Sequence, residues 1–528
     1  MKRIFIVVVL LAAGGMSWGQ GFEKVKVEEG WISGSEVGGI HIFKGIPFAA
    51  PPVGVLRWRA PQPAAPWNGV RDCTQFGPSP MQNKPAPFLM WPTEYLIPEK
   101  SISEDCLYLN VWTPAGTAKE RRPVLVYIYG GAFTGGGGNV PIYDGEAVAK
   151  KGVVYVTINY RLGIFGFFAY PELTRESGHQ ASGNYALMDQ IAALKWVKAN
   201  IAAFGGDPNN VTIAGQSAGS MSVNCLVASP LAKGLFGKAI GESGADFGRE
   251  YVTLAHAEAE GQKIAQKLGV ASGAGSGPGS GAGVGSGSGA VSLDSLRAIP
   301  AEELQKKGQG TWRPVIDGYV LPEPIADIFL EKKENIVALL TGWNQDEGFV
   351  FGPAKNAADY KQGITKQYGA DAEAVLKYYP ADNDSVAGVS QLYLSRDMTF
   401  GRQNYSWAVM TSAQGQKVFV YRFVRKPPTA AGERNWGAFH TGEVPYAYDN
   451  LKFVKRPFEP VDYHLSDEMS SYWVNFAKTG DPNGAGLPRW EAFSREGGKI
   501  MLLDRQSATG VLPDRGALEW WYNRMIKN

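Results

Sequence analysis

The chain has 528 residues, 44% of them hydrophobic, with 52 Lys and Arg against 50 Asp and Glu. This length is enough for a large core and suits one elaborated α/β domain as well as several smaller ones. The nearly balanced charge gives no electrostatic reason to expect nucleic acid or an anionic membrane as a partner, so a neutral or amphiphilic small molecule fits better.

The first 20 residues are typical of a secretory signal peptide. Lys2 and Arg3 precede an apolar stretch at 4–13, and small residues follow it. The apolar stretch is too short to anchor the chain in a bilayer, no later stretch is long and apolar enough, and no cysteine that could carry a lipid lies nearby. We expect cleavage after Gly19 or Gln20 and a secreted or periplasmic protein without a stable membrane anchor.

The chain has three cysteines, Cys73, Cys106 and Cys225. They are too few for a disulfide-stapled miniprotein or a multi-cysteine metal cluster. In an oxidising compartment Cys73 and Cys106 could pair and close a loop of roughly thirty residues, which is worth on the order of 3 kcal/mol. Cys225 lies among apolar residues, where a small buried thiol is expected.

Apolar stretches with strand character recur along the chain. Up to residue 70 they are short and separated by Pro- and Gly-rich turns. Further strands are predicted at 103–114, 123–129, 152–160, 211–214, 238–241, 336–342, 417–424 and 501–503. In residues 181–204 the apolar residues recur at helical spacing, which predicts a helix. Continuous apolar strands that alternate with helices predict an α/β fold, with a mostly parallel sheet covered by helices on both faces.

Residues 272–292 interrupt this alternation. Glycine occupies nearly every second position, with Ala, Ser, Pro and Val between. Such a stretch has no apolar surface to bury, so we expect a flexible loop with an r.m.s. span of about 25 Å. Amphipathic helical patterns resume on both sides, which favours a surface loop within one domain over a linker between two.

The strand at 211–214 leads into Gly215-Gln216-Ser217-Ala218-Gly219, and a helical pattern follows. A chain with 66 glycines would contain roughly half of one such five-residue match by chance. The context is more specific, because a strand, a sharp turn with a serine and a helix form the nucleophile elbow of α/β-hydrolases. The glycines allow the strained turn and its neighbours to pack closely. We predict that Ser217 projects into a cleft as a nucleophile.

A serine hydroxyl needs a base, which is usually a histidine oriented by a carboxylate. In elbow enzymes the base follows the serine in the chain, which leaves His256, His440 and His464. His256 and His464 belong to helical patterns, where surface or helix-start roles are expected. His440 lies in a loop after the strand at 417–424, so His440 is the predicted base.

The residue types and spacing leave the acid open. Asp346 and Glu347 both lie in the loop after the strand at 336–342, and Asp317 is a less well placed third candidate. The turn Gly130-Gly131-Ala132, after the strand at 123–129, could supply amide donors to an oxyanion together with Ala218, each worth roughly 3 kcal/mol. We also expect three aromatic residues to line an apolar pocket, namely Phe133, Trp343 and Trp436.

Three stretches resemble the signatures of the type-B carboxylesterase family. They are GIPFAAPPVGVLRWRAP, EDCLYLNVW and FGGDPNNVTIAGQSAG, and the similarity runs in the family's order from about Gly39 to the C-terminus. The resemblance implies that residues 21–528 form one α/β-hydrolase domain with a flexible insertion at about 272–292. It also implies a serine esterase that hydrolyses small-molecule carboxylic esters without a metal or other cofactor.

The same resemblance implies roles for individual residues. The catalytic triad falls on Ser217, Glu347 and His440, which selects Glu347 over Asp346. The family's remaining positions fall on Gly131, Ala132 and Ala218 as oxyanion donors and on Cys73 and Cys106 as a disulfide.

Three features depart from the family's pattern. Gln216 stands where an acidic residue is frequent, which argues against a cholinesterase, and Ala132 replaces a frequent glycine. The glycine-rich insertion is not a family element. Two other functions remain open, a catalytically inactive adhesion or binding protein and an amidase that uses the same site. All three triad residues are present, which argues against the inactive alternative.

Overall fold

The computed structural model describes residues 24–99, 101–248, 251–272, 291–350 and 352–527. The predicted signal peptide at 1–20 and residues 273–290 of the glycine-rich stretch lie outside these ranges. Helical patterns were predicted on both sides of that stretch, and a helix does end at residue 272 and another begin at residue 293. The division into a signal peptide and one domain stays a prediction.

Eleven strands form the central sheet. They are β1 (Ser35–Val37), β2 (Ile40–Pro47), β3 (Tyr108–Thr113), β4 (Arg122–Ile128), β5 (Val154–Ile158), β6 (Gly206–Gln216), β7 (Lys238–Glu242), β8 (Ala338–Asn344), β9 (Val418–Phe423), β10 (Lys499–Leu503) and β11 (Ala508–Val511). Their order across the sheet is β11-β10-β9-β8-β7-β6-β4-β5-β3-β2-β1.

The middle of this sheet is parallel and its edges are antiparallel. All neighbours among β4 to β10 run parallel. At one edge β1, β2 and β3 pair antiparallel, and at the other β11 pairs antiparallel with β10. Every residue of β5 and of β9 is buried, because helices pack on both faces of the sheet. The predicted mostly parallel α/β-hydrolase sheet is therefore confirmed.

Sixteen α-helices surround the sheet in the described residues. They are α1 (Glu146–Lys150), α2 (Gly163–Phe167), α3 (Pro171–Glu176), α4 (Tyr185–Asn200), α5 (Ala218–Ala228), α6 (Leu254–Ser272), α7 (Leu293–Ala298), α8 (Ala301–Lys307), α9 (Ile325–Leu330), α10 (Ala357–Tyr368), α11 (Ala372–Tyr378), α12 (Asp384–Arg396), α13 (Arg402–Ala413), α14 (Val444–Ala447), α15 (Pro460–Thr479) and α16 (Arg515–Lys527). A π-helical turn, Asp397–Gly401, joins α12 to α13.

The predicted strands match the observed ones to within a few residues from β3 to β10, and the period at 181–204 forms α4 and a 3-10 turn, Ile201–Phe204. The pattern missed β11, whose four residues are all partly or fully exposed, so it has no apolar period to detect. Near the N-terminus, Gly30–Ser33 pairs with Lys24–Val27 on one side and with Val70–Asp72 on the other, which forms a separate small sheet.

The predicted pairing of Cys73 with Cys106 is not seen in the structure. Cys73, Cys106 and Cys225 are all free, buried thiols. Burial raises the pKa of Cys73 to about 12 and also raises that of Cys106, so both stay protonated.

The described residues contain neither a helix that could span a membrane nor a cluster of potential metal ligands. Within these ranges, no helix is long and apolar enough to cross a bilayer. No group of three or more His, Cys, Asp or Glu side chains there is arranged to hold a metal ion.

The packing of the central sheet can be tested at Ile213 of β6, which is fully buried. We expect Ile213→Ala to lower the free energy of unfolding by about 3 kcal/mol, because it removes buried methyl groups and leaves a cavity. The same change at the exposed Ile336 should alter it by less than about 0.5 kcal/mol. Denaturant unfolding of both variants measures the difference, and equal losses would contradict this placement of the core.

Candidate active site

Ser217 occupies the sharp turn between β6 and α5. Its backbone φ is 58° and its ψ is −125°, outside the conformations that side-chain-bearing residues usually adopt. The strained turn is held by the Ser217 N–H, which donates to the backbone oxygen of Glu242 over 2.9 Å. The side chain is half-buried and lines a cavity. This is the strand, turn and helix geometry that the sequence pattern predicts for an elbow.

The glycines on either side of Ser217 occupy positions without space for a side chain. A Cβ atom on Gly219 would lie 2.1 Å from the backbone oxygen of Ile128, the last residue of β4. A Cβ on Gly215 would lie 2.6 Å from the backbone of Gly219. The elbow is therefore pressed directly against the end of β4, and this close packing needs glycine at both positions.

His440 and Glu347 form a buried pair. His440 Nδ1 lies 2.8 Å from Glu347 Oε2, and both side chains are almost completely excluded from solvent. The other carboxylate oxygen of Glu347 accepts the backbone N–H of Asn344 over 2.8 Å. The carboxylate thus has two fixed partners, and the second fixes the orientation in which it meets the imidazole.

The remaining carboxyl candidates have other partners. Asp346 Oδ2 accepts the backbone N–H of Ala438 over 2.9 Å, so it supports the loop that carries His440 and does not contact the ring. Asp317 Oδ1 accepts three backbone N–H groups from residues 319–321 and caps its own turn. The structure therefore brings Glu347, and neither Asp346 nor Asp317, to the imidazole.

The other two histidine candidates lie on helices, away from this pair. His256 is exposed on α6, and His464 is exposed in the first turns of α15. Both placements agree with the surface roles that their helical patterns predict. His440 is thus the one of the three candidates that lines the same cavity as Ser217.

The glycine-rich turn after β4 lies against the elbow. A Cβ on Gly130 would come within 2.4 Å of the Gln216 backbone oxygen and 3.0 Å of Ser217 Cβ. Gly131 and Ala132 both have positive φ, at 118° and 52°. Ala132 therefore keeps a left-handed backbone without being glycine. In the described residues, no internal acceptor is seen for the backbone N–H of Gly131, Ala132 or Ala218.

A cavity of about 920 Å³ joins these parts. Ser217, His440 and the turn at 130–136 form part of its wall. Its aromatic lining consists of Phe88, Trp91, Tyr95, Phe133, Tyr143, Trp312, Phe349 and Phe400. The expectation for Phe133 is confirmed, and those for Trp343 and Trp436 are wrong. Trp343 is buried under the guanidinium of Arg422, and Trp436 packs against that of Arg434.

Aromatic rings hold His440 in place. Phe400 stacks on the imidazole with ring centres 4.4 Å apart and an angle of 13° between the planes. Phe349 and Trp91 meet the same ring edge-on, at 5.5 Å and 6.3 Å. Phe400 lies in the π-helical turn between α12 and α13, an irregularity that the sequence pattern did not predict.

Two further buried carboxyl groups, those of Glu443 and Glu242, lie near the pair of His440 and Glu347, and the sequence pattern predicted neither of them. Asn344 Nδ2 donates to the Phe439 backbone oxygen over 2.8 Å and to Glu443, and so ties the end of β8 to the loop of His440. Burial raises the pKa of Glu443 well above its usual range, and nearby Glu347 and Glu242 raise it further. Glu443 is three residues after His440, but spacing alone does not mark it.

The elbow glycine offers a test of the close packing. We expect Gly219→Ala to lower the free energy of unfolding by about 2 kcal/mol or more, because its Cβ would overlap the backbone of β4. The matched change Gly388→Ala lies in α12, where no atom comes within 4 Å of the added Cβ, and should leave stability unchanged or slightly higher. Thermal unfolding compares the two, and equal stability of both variants would contradict the overlap.

The buried carboxyl of Glu242 should make the free energy of unfolding depend on pH. Burial raises its pKa to about 8, although its carboxylate accepts from the Trp473 indole and from Tyr448 OH. The folded protein therefore holds a proton that the unfolded chain loses above about pH 4.5, and stability falls with rising pH up to about pH 8. Glu242→Gln keeps an oxygen acceptor and removes this loss.

We expect the stability of Glu242→Gln relative to the unchanged protein to rise by on the order of 1.4 kcal/mol per pH unit between about pH 5 and about pH 8. Urea unfolding at several pH values measures this difference. A difference that does not change with pH would contradict a neutral buried carboxyl.

Comparisons with known proteins show which family the chain resembles. The sequence model described as "Carboxylesterase family" matches residues 22–521. Fumonisin B1 esterase of Sphingopyxis macrogoltabida is 36% identical over 510 residues, covering 92% of this chain and 86% of that protein. Para-nitrobenzyl esterase of Bacillus subtilis (strain 168) is 35% identical over 513 residues, covering 91% and 95%.

Solved structures show the same likeness. A PNB esterase matches with a TM-score of 0.79 and 32% identity, covering 95% of this chain and 99% of that one. A thermophilic PNB esterase matches with a TM-score of 0.79 and 34% identity, covering 94% and 99%. The chain therefore belongs to the carboxylesterase family and is a carboxylic ester hydrolase similar to the para-nitrobenzyl esterases.

Proposed function

We propose that the chain hydrolyses its esters through an acyl-enzyme, with Ser217 as nucleophile, His440 as base and Glu347 as the acid that orients it. The observation that carries this proposal is the 2.8 Å contact between His440 Nδ1 and Glu347 Oε2, in the cavity that Ser217 also lines. A nucleophile, a base and an orienting carboxylate form the arrangement that activates a serine.

The contact determines which imidazole nitrogen carries the proton. Because a carboxylate accepts at Nδ1, that nitrogen is the donor, and Nε2 is left with a free lone pair. Nε2 can then take the proton of the Ser217 hydroxyl. Glu347 stabilises the imidazolium that results, and it keeps its negative charge throughout.

The reaction proceeds in two halves. In the first, Ser217 Oγ forms a bond to the ester carbonyl carbon and its proton moves to His440 Nε2. The carbon–oxygen bond to the alcohol then breaks, and the departing oxygen takes the proton from His440. In the second half, a water oxygen bonds to the acyl carbon and His440 accepts a proton from that water. The bond between the acyl carbon and Ser217 Oγ then breaks, Oγ takes the proton from His440, and the acid is released.

Each tetrahedral intermediate carries an oxyanion that needs hydrogen-bond donors. The backbone N–H groups of Gly131, Ala132 and Ala218 are the proposed donors. Two observations support this proposal. The glycine-rich turn contacts the elbow, and in the described residues no internal acceptor is seen for these three N–H groups. Fixed backbone donors of this kind are worth roughly 3 kcal/mol each.

The cavity supports an ester with apolar or aromatic groups. Eight aromatic side chains contribute to its wall, and such rings favour flat apolar ligands with few polar groups. Two relatives bear names that refer to fumonisin B1 and to a para-nitrobenzyl ester. We propose a small-molecule ester of this broad class as the substrate.

Ser217→Ala tests the nucleophile. We expect kcat for a nitrophenyl ester to fall by on the order of 10⁴-fold or more, because no covalent intermediate can form. A fluorophosphonate probe should label the unchanged protein at one serine and should not label the variant. Thermal unfolding confirms that the variant is folded. A folded variant with more than about one-thousandth of the activity would refute the role of Ser217.

A matched pair of histidine variants tests the base. His440→Gln should lose activity to a similar extent, whereas His256→Gln, which makes the same change on the exposed face of α6, should retain it.

Absence of labelling in the unchanged protein would favour the inactive binding alternative. Faster cleavage of an amide than of the ester with the same acyl group would favour the amidase.

A further inference from the structure

Gln216 immediately precedes the nucleophile, and its side chain reaches the predicted base. Its Nε2 lies 3.4 Å from His440 Nδ1 and 3.3 Å from His440 Nε2. A group in the ring plane cannot be this far from both nitrogens without overlapping the carbon between them, so the amide nitrogen lies off the plane of the ring. Both side chains are nearly fully buried, at 2% and 4% exposure.

A hydrogen-bonded chain fixes the orientation of this amide. Thr441 Oγ1 donates to Gln216 Oε1 over 3.4 Å, and it accepts from Trp91 Nε1 over 3.2 Å. Because Oε1 is the end that accepts from the hydroxyl, the opposite end of the amide, the NH₂ group, is presented to His440. Three separate segments of the chain, at 91, 216 and 441, thus cooperate in this contact.

The other charged groups around His440 act in the opposite direction or lie further away. Glu347 contacts Nδ1 directly and favours the protonated ring. Burial raises the pKa of both Glu443 and Glu242, which disfavours a negative charge on either group. Phe400, Phe349 and Trp91 cover the ring without charge.

Three further charged residues, Lys84, Asp246 and Arg313, lie on the wall of the cavity that Ser217 lines. Asp246 is held in an ion pair with Arg313 at 3.0 Å, and Lys84 is exposed at the cavity's edge. Neither Asp246 nor Lys84 has a contact with the imidazole in the described residues. Among the described residues, Gln216 and Glu347 are the polar side chains seen within hydrogen-bond range of the imidazole nitrogens.

We propose that Gln216 is a positioning residue that keeps His440 unprotonated, by presenting an uncharged N–H donor to the ring at the place where a carboxylate would favour the imidazolium. This inference rests on the proposed function, because it matters only if His440 acts as a base. A base must be free of its proton to accept one from the serine. The positive end of the amide dipole offsets part of the attraction that Glu347 exerts on the proton.

The isosteric variant Gln216→Glu tests the charge. A carboxylate within 4 Å of the ring in a buried site should raise the pKa of His440 by about one unit or more. The acidic limb of the kcat/KM profile should move to higher pH by the same amount, which reduces kcat/KM about tenfold at a pH below that limb. At high pH, where the ring is neutral in both proteins, the two values should converge.

The pKa should be measured directly as well as through turnover. NMR titration of ¹³C-labelled histidine in the resting protein follows each imidazole, and the signal missing from His440→Gln identifies the one of interest. This measurement needs no ester hydrolysis, so it separates the two hypotheses. An unchanged His440 pKa in Gln216→Glu overturns the inference, whereas a raised pKa in a protein without serine-dependent activity overturns the proposed function alone.

Two further variants control for charge and for folding. Asn83→Asp adds a negative charge to the rim of the same cavity without contacting His440, and the acidic limb should stay in place. Gln216→Met removes the donor without adding charge, so the His440 pKa should lie between those of the unchanged protein and of Gln216→Glu. A pKa in Gln216→Met at or below that of the unchanged protein contradicts the donor role, even if Gln216→Glu fails to fold.

Discussion

The site depends on the lack of space between the elbow and the end of β4. Gly219 lies so close to Ile128 that a single Cβ atom would overlap the backbone, and Gly215 is closed in by Gly219. This contact holds Ser217 in its strained conformation, and it brings the turn that follows β4 beside the serine. One backbone contact therefore determines both the position of the nucleophile and the position of the proposed amide donors.

The partners of Ser217 come from the carboxyl ends of neighbouring strands. β6, β8 and β9 are parallel, so the loops after them open at the same edge of the sheet. Glu347 follows β8, and the loop of His440 follows β9. Asn344 and Asp346 then bond the two loops together, which limits the freedom of the acid and base to move apart. Buried hydrogen bonds of this kind orient functional groups more than they add stability.

Much of this arrangement could be predicted before the structure was known. Strands such as β4 and β5 carry nearly continuous apolar runs because both of their faces are buried, and such runs are visible in the sequence. The exposed edge strand β11 has no such run and was missed. The elbow was predicted because it needs small residues at fixed spacing. A plausible separation along the chain was not enough to predict a disulfide, since Cys73 and Cys106 are free thiols in the structure.

Local periodicity and chain order are enough to predict the fold class, the elbow, and His440 as the best-placed base. Residue types and spacing left Asp346 and Glu347 equivalent, since neighbours in one loop differ only in where their side chains point, and only the family resemblance favoured Glu347. The folded structure brings Glu347 to the imidazole, and it also reveals the contact of Gln216 with the ring and the buried Glu443 nearby. Those contacts join residues far apart in the chain, and only the folded packing brings them together.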